Sequence, residues 1–258
     1  MALPNPLEKF RLDGRTALVT GARREIGRAI AEALGAVGAR VAVHHAGTAA
    51  EARDAAEVVA RIGGGAQAFG ADFSQTGAAE TLAAEVTAAF GQVDILVLNA
   101  SIEILQPVGA IDRAAYDQQM DINVWSTLAL LQALVPAMGA RGWGRVVTIG
   151  SVQQISPAAE MLVYAGYKAL QHNWAINLAR QFTGQGVTVN NLAPGIISTA
   201  RNAEQIAARG EQMRARVPAG RIGRPDDLVG AALLLCSEAG SYISGANLYV
   251  DGGRAVNL

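Results

Sequence analysis

Seven short runs of β-branched and apolar residues, Thr16–Thr20, Arg40–His44, Ala66–Gly70, Asp94–Asn99, Gly144–Gly150, Val187–Ala193 and Ala246–Val250, punctuate an alanine-rich chain. Helical patterns occupy the stretches between them, near 27–37, 49–62, 75–89, 112–139, 161–182 and 225–237. Alternation of this kind predicts a parallel sheet with helices on both faces, because each helix carries the chain back to the start of the next strand. No Pro- or Ser-rich linker and no internal repeat interrupts the alternation, so residues 1–258 are expected to form one domain. The longest departure runs from Pro194 to about Arg224 and carries Arg201, Arg209, Arg214 and Arg216 amid small residues. It reads as an irregular excursion, with 195–224 as a lid over a site.

Charge narrows the possible partners. The net charge of −1 gives no electrostatic reason to expect nucleic acid or an anionic membrane. No basic-then-apolar leader is evident, and no apolar stretch is read as reaching the roughly 18 residues of a membrane span. The chain is therefore expected in the cytoplasm. The single cysteine, Cys236, lies in an apolar run and is expected as a small core residue. No metal site is expected.

Of the 21 Lys and Arg side chains only two, Lys9 and Lys168, are lysine. Lys168 falls four residues after Tyr164, on the same face if the segment is helical. A cation there is expected to favour the phenolate and pull the tyrosine down from about 10 towards neutral pH. That makes Tyr164 a candidate proton donor and acceptor. Tyr167 competes for the role, but its i+4 neighbour is Gln171, which carries no charge.

After the first strand comes Thr20-Gly21-Ala22-Arg23-Arg24-Glu25-Ile26-Gly27-Arg28, leading into a helix. Glycines at a strand–helix turn let the backbone approach a pyrophosphate, whose charge the helix N-terminus then meets.

This turn resembles the Thr-Gly-x-x-x-Gly-x-Gly segment of the classical short-chain dehydrogenases/reductases. The match holds at Thr20, Gly21 and Gly27, while Glu25 replaces the middle glycine and is expected to face solvent or pair with Arg24 or Arg28. The likeness continues almost end to end. Asn99-Ala100-Ser101 stands where the family has Asn-Ala-Gly, and Asn123 lies in Asp121-Ile122-Asn123-Val124. Ser151 precedes Tyr164 by thirteen residues, and Asn191-Leu192-Ala193-Pro194-Gly195, Arg221-Ile222-Gly223-Arg224-Pro225 and Val250-Asp251-Gly252-Gly253 follow in order.

The resemblance implies a Rossmann-type, doubly wound α/β sheet of about seven strands and a hydride transfer between a nicotinamide and a carbonyl or alcohol. In that chemistry Tyr164 passes the proton, and Ser151 hydrogen-bonds the substrate oxygen. Lys168 lowers the tyrosine pKa and binds the nicotinamide ribose, and Asn123 links Lys168 to solvent through water. Gly21, Arg23, Arg24, Ile26, Gly27, His44, His45, Asp72, Phe73, Asn99, Ala100, Tyr164, Lys168, Pro194, Gly195, Ile197 and Thr199 are expected to hold the cofactor. The second strand ends in His44-His45-Ala46-Gly47 without an acid, and Arg24 stands in the turn, so NADP is expected over NAD.

Ile102, Gln153, Gln154, Met161, Ile196 and the 198–216 segment are expected to line the substrate pocket. The main reading is an NADPH-dependent reductase of a ketone or 3-oxoacyl group. Arg180 matches one basic position of carrier-protein reductases, but Pro136 occupies the other. The alternatives are an NAD-dependent alcohol or polyol dehydrogenase, and a non-catalytic nucleotide-binding protein of the same fold, for which Glu25 and Ser101 speak. A homo-oligomer, commonly a tetramer, is implied by resemblance.

Overall fold

The computed structural model describes residues 5–257; residues 1–4 and 258 of the expected domain lie outside the described residues. All seven expected strands form: β1 (Thr16–Val19), β2 (Arg40–His45), β3 (Ala66–Gly70), β4 (Ile95–Leu98), β5 (Gly144–Ile149), β6 (Val187–Pro194) and β7 (Asn247–Val250). They pair in parallel in the order β3-β2-β1-β4-β5-β6-β7. The order reverses between β1 and β4, and the crevice at the carboxyl ends of such strands is where open α/β sheets take their ligands. Strands β1, β4, β5 and β6 are buried along their whole length.

Helices cover both faces. On one side α1 (Glu25–Ala36), α2 (Ala49–Ile62) and α8 (Val229–Cys236) pack Ile30, Leu34, Val58 and Leu235 against the sheet. On the other, α3 (Ala78–Phe90), α5 (Ser126–Ala140) and α6 (Leu162–Phe182) contribute Leu82, Leu130, Leu134 and Ala175. Local signals set the starts: Thr48 caps α2 through the Glu51 N–H, and Asp112 caps α4 (Arg113–Met120) through the Ala115 N–H. Cys236 is fully buried between α8 and the sheet, and burial pushes its thiol up to about 12.

Four expectations change. The 112–139 pattern becomes α4 and α5 joined by a π-turn at Asp121–Trp125. Together they make Arg113–Ala140, which is long and apolar enough to cross a membrane (mean hydropathy 1.3), contrary to the expectation that no such stretch exists. In its apolar 18-residue window 61% is buried inside the fold, because α5 packs on α3 and the sheet. The stretch after Pro194 is not irregular throughout: Ala203–Ala215 is a helix, α7, bent at Arg209. Finally, the helical pattern at 225–237 opens as a 3₁₀ turn, Pro225–Leu228, before α8.

Candidate active site

The carboxyl ends of β1, β4, β5 and β6 and the 195–224 segment enclose a cavity of about 400 Å³. The turn between β1 and α1 forms one end. Gly21 adopts φ +62, and its N–H donates to His44 Nδ1 at 3.0 Å. His44 Nε2 meets the Ala71 carbonyl at 2.9 Å, so Nε2 carries the proton and Nδ1 accepts. Both ring nitrogens are engaged and the ring stacks on Phe73 at 4.4 Å. His44 borders the cavity, as expected of a cofactor-site residue, but holds the turn through both ring nitrogens and leaves neither for a ribose. Burial pushes its pKa down to about 4.

Asn99 braces the same turn, its Nδ2 donating to the carbonyls of Thr20 (2.8 Å) and Gly21 (3.1 Å). Packing is tightest at Gly27, where a Cβ would stand 2.4 Å from Gly21 O and 2.5 Å from Asn99 Nδ2. Only glycine fits there, and it lets the first N–H groups of α1 face the cavity. This cradle fits a dinucleotide pyrophosphate. Glu25 opens α1 with φ +53, a left-handed conformation shared by no other non-glycine among the described residues. Its half-buried carboxylate pairs with Arg24 at 4.0 Å, one of the expected partners, and not with Arg28, which pairs with Glu32; it also accepts the backbone N–H of Ala200.

At the adenosine end the cavity is bordered by Arg23, Arg24, His45, Asp72, Phe73 and Glu51. Arg23 is paired with Glu51 at 3.0 Å and Asp54 at 2.7 Å, whereas Arg24 is exposed. An acid thus stands near this end after all, contributed by α2 rather than by the end of β2, and Arg23 neutralises it. Burial lowers the His45 pKa, so His45 adds no charge at neutral pH.

Ser151, Tyr164 and Lys168 border the other end, with Pro194, Gly195, Ile197 and Thr199 between. Ser151 follows β5 and caps the next turn through the Gln153 N–H. Tyr164 and Lys168 lie on one face of α6, as their spacing predicts, and both are buried. The expected pKa shift of Tyr164 is reversed. Burial raises it, as does the Glu103 charge, against the Arg201 charge and hydrogen bonding to Ser151. Lys168 Nζ sits 5.8 Å from the ring centre and donates to Ile149 O at 2.6 Å and Gln171 Oε1 at 3.3 Å. Burial also pulls Lys168 down to about 7. Tyr167 is excluded as a proton donor: its hydroxyl donates to Ile102 O at 2.7 Å and burial raises its pKa strongly.

Asn123 does not reach the cavity. It sits fully buried in the π-turn, its amide donating to Gln119 O and Ile102 O and accepting from Ile102 N. Of the expected substrate-pocket residues, Ile102, Gln153, Met161 and Ile196 border the cavity. Gln154 does not: its Oε1 accepts from Asn191 Nδ2 beneath β6. Sequence reading missed Glu103, whereas Arg201 falls in the 198–216 segment expected to line the pocket and does border the cavity. Arg201 Nη2 donates to Ser101 O at 2.5 Å and its Nη1 lies 4.0 Å from Glu103, whose carboxyl is raised by burial. The signal was available, since Glu103 lies two residues beyond the Asn99-Ala100-Ser101 segment.

A family model described as enoyl-(acyl carrier protein) reductase matches residues 21–255. The chain is 35% identical over 249 residues to 2-dehydro-3-deoxy-D-gluconate 5-dehydrogenase of Pseudoalteromonas atlantica, covering 96% of this chain and 98% of that protein. Among solved structures it matches a 3-oxoacyl (acyl-carrier-protein) reductase of Agrobacterium tumefaciens C58 with NADP bound (TM-score 0.88, 43% identity, 95% and 96% of the two chains). It also matches a gluconate 5-dehydrogenase of Burkholderia cenocepacia J2315 in complex with NADP and tartrate (TM-score 0.91, 32% identity, 98% and 100%). The chain belongs to the classical short-chain dehydrogenase/reductase family. It is an oxidoreductase that acts on CH–OH or C=O groups with NAD(P).

Proposed function

We propose that this protein is an NADP-dependent oxidoreductase that reduces a ketone or 3-oxoacyl group, with Tyr164 as the general acid. One observation carries the reading: Ser151, Tyr164 and Lys168 border the same cavity as the Gly21–Gly27 cradle. A bound nicotinamide supplies or receives the hydride. Tyr164 gives its proton to the substrate oxygen as negative charge develops there, and the Ser151 hydroxyl donates to that oxygen. The Arg201 cation favours the phenolate that remains. Exposed Arg24 supports NADP over NAD, as the cation available to a 2′-phosphate. The 195–224 segment acts as the lid, with Arg201, Gln205 and Met213 over the cavity.

A second reading, an alcohol or polyol dehydrogenase, is favoured by the Arg201–Glu103 pair. A donor and an acceptor at the cavity wall suit a hydroxyl-bearing substrate better than an acyl chain. Exposed Trp125, Leu162 and Tyr242 support a homo-oligomer, a tetramer by likeness to the family. The lone thiol, without an intrachain disulfide partner, suits the cytoplasm. Fluorescence titration with NADPH and NADH, followed by a panel of ketones, 3-oxoacyl compounds, polyols and hydroxy acids with both cofactors, tests these readings. Absence of binding by either reduced cofactor at high micromolar concentration would overturn both enzyme readings and leave the non-catalytic alternative.

A further inference from the structure

Lys168, Gln171, Asn123 and Thr127 are buried together behind the catalytic tyrosine, none more than 3% exposed. Lys168 Nζ donates to Gln171 Oε1, and Gln171 Nε2 donates to Asn123 O at 2.7 Å and Thr127 Oγ1 at 3.2 Å. Both ends of the Gln171 amide are thus satisfied by protein atoms. The place expected to hold a water between Lys168 and Asn123 is filled by this side chain.

We propose that Gln171 is a positioning residue which fixes the Lys168 ammonium and seals it from solvent on the interior side. Tyr164 then regains its proton from the substrate-cavity side and not through the interior behind Lys168.

An ammonium can hand a proton to water, but not usefully to this amide. Relay through Gln171 would protonate Oε1 and release a proton from Nε2, leaving the amide as its less stable imidic acid tautomer, whereas a water passes a proton on unchanged. Tyr164 and Lys168 both border the cavity, so protons reach the pair from that side. Gln171 also bears on the charge state of Lys168. Burial disfavours the ammonium, and few groups act against it. The surroundings are Glu103 from the loop after β4, the opposing Arg201 from the lid, the Ile149 carbonyl from β5, and the Tyr164 and Tyr167 rings at 5.8 and 5.4 Å on α6. The Gln171 oxygen is one of the two acceptors the ammonium has among the described residues.

The inference rests on the roles proposed for Tyr164 and Lys168, but its test does not require turnover. With only two lysines in the chain, ¹³Cε-lysine labelling gives two resonances, and exposed Lys9 serves as internal reference. In the cofactor-free protein, Lys168 should titrate well below Lys9. Gln171→Glu, isosteric and anionic, should raise the Lys168 midpoint by about one pH unit or more, and Gln171→Met should lower it. Gln171→Ala, which makes room for water, should speed exchange of the Lys168 ammonium protons about tenfold or more relative to Lys9. Midpoints unchanged in folded Gln171→Glu and Gln171→Met would overturn the proposal, as would unchanged exchange in Gln171→Ala. In active preparations, the pH profile of kcat in Gln171→Glu should move with the lysine midpoint; a lower rate at an unmoved profile would mean a merely structural role. If the resonances behave as stated but no substrate is turned over, the proposed reaction fails and the positioning of Lys168 stands.

Discussion

The carboxylate of Glu25 accepts the backbone N–H of Ala200, joining the first strand–helix turn to the lid across 175 residues of sequence. The next lid residue, Arg201, donates to the backbone carbonyl of Ser101. Glu25 and Ser101 are the two positions where the chain lacks a glycine of its family, and both meet adjacent residues of the lid. The two residues that speak in the sequence for a non-catalytic protein are, in the fold, a pair of anchors for the segment above them.

Glu25→Gly should therefore have two effects. It relieves a left-handed residue, worth about 1 kcal/mol, and removes a carboxylate beside the pyrophosphate cradle. NADPH should bind as tightly as in the wild type or more tightly in a fluorescence titration. Loss of the Ala200 contact should make the lid more susceptible to proteolysis near Ala200. Clearly weaker NADPH binding would show that the turn needs the glutamate.

Arg24→Ala should weaken NADPH binding about tenfold, equivalent to about 1.4 kcal/mol, and leave NADH binding unchanged. Parallel titrations with the two cofactors check this. Equal effects on both would move the source of selectivity away from Arg24.

Tyr164→Phe removes the proton donor and little else, because the ring and its edge contact with Tyr167 at 5.1 Å remain. Carbonyl reduction should fall at least about 100-fold, with NADPH binding retained. Substantial residual turnover would take Tyr164 out of its role.

His44 should couple pH to stability. Its folded pKa is depressed to about 4 from 6.5, so the unfolded chain binds the proton more readily. The stabilising contribution is complete above 6.5 and is lost as pH falls from there through 4, on the order of 3 kcal/mol in all. Protonation at Nδ1 also breaks the bond from Gly21, so cofactor binding should weaken over the same range. Urea denaturation at pH 7, 5 and 4 should show a smaller loss in His44→Asn than in the wild type. A wild-type stability that is flat from pH 7 to 4 would exclude the effect.

The sheet was legible because its strand runs are short, apolar and regularly spaced, and burial on both faces leaves a plain signal in the sequence. The proton-transfer pair was legible because i and i+4 share a helical face. Other features depend on long-range packing that spacing does not encode. Whether Tyr164 is raised or lowered turns on its burial and on Arg201 and Ser151. Helix α7 was hidden because its arginines and glycine supply almost no buried face; Gly210 is its one buried residue. Gln171 was noticed only for lacking a charge, and its amide gains importance from Asn123, 48 residues away.

The π-turn at Asp121–Trp125 fixes the length of this part of the chain more strictly than its composition. One extra residue in the turn rotates everything before it by about 100° relative to a regular helix. That rotation aims Asn123 at Ile102 and Gln119 at Ile104, on the loop that walls the cavity. Deleting a single residue here would swing α4 to another face while α5 stayed in the core, detaching the loop from both amides. Substitutions on the exposed side of these helices should pass unnoticed, but insertions and deletions should not. Homologous chains that keep the site can vary this helix in letters, not in count.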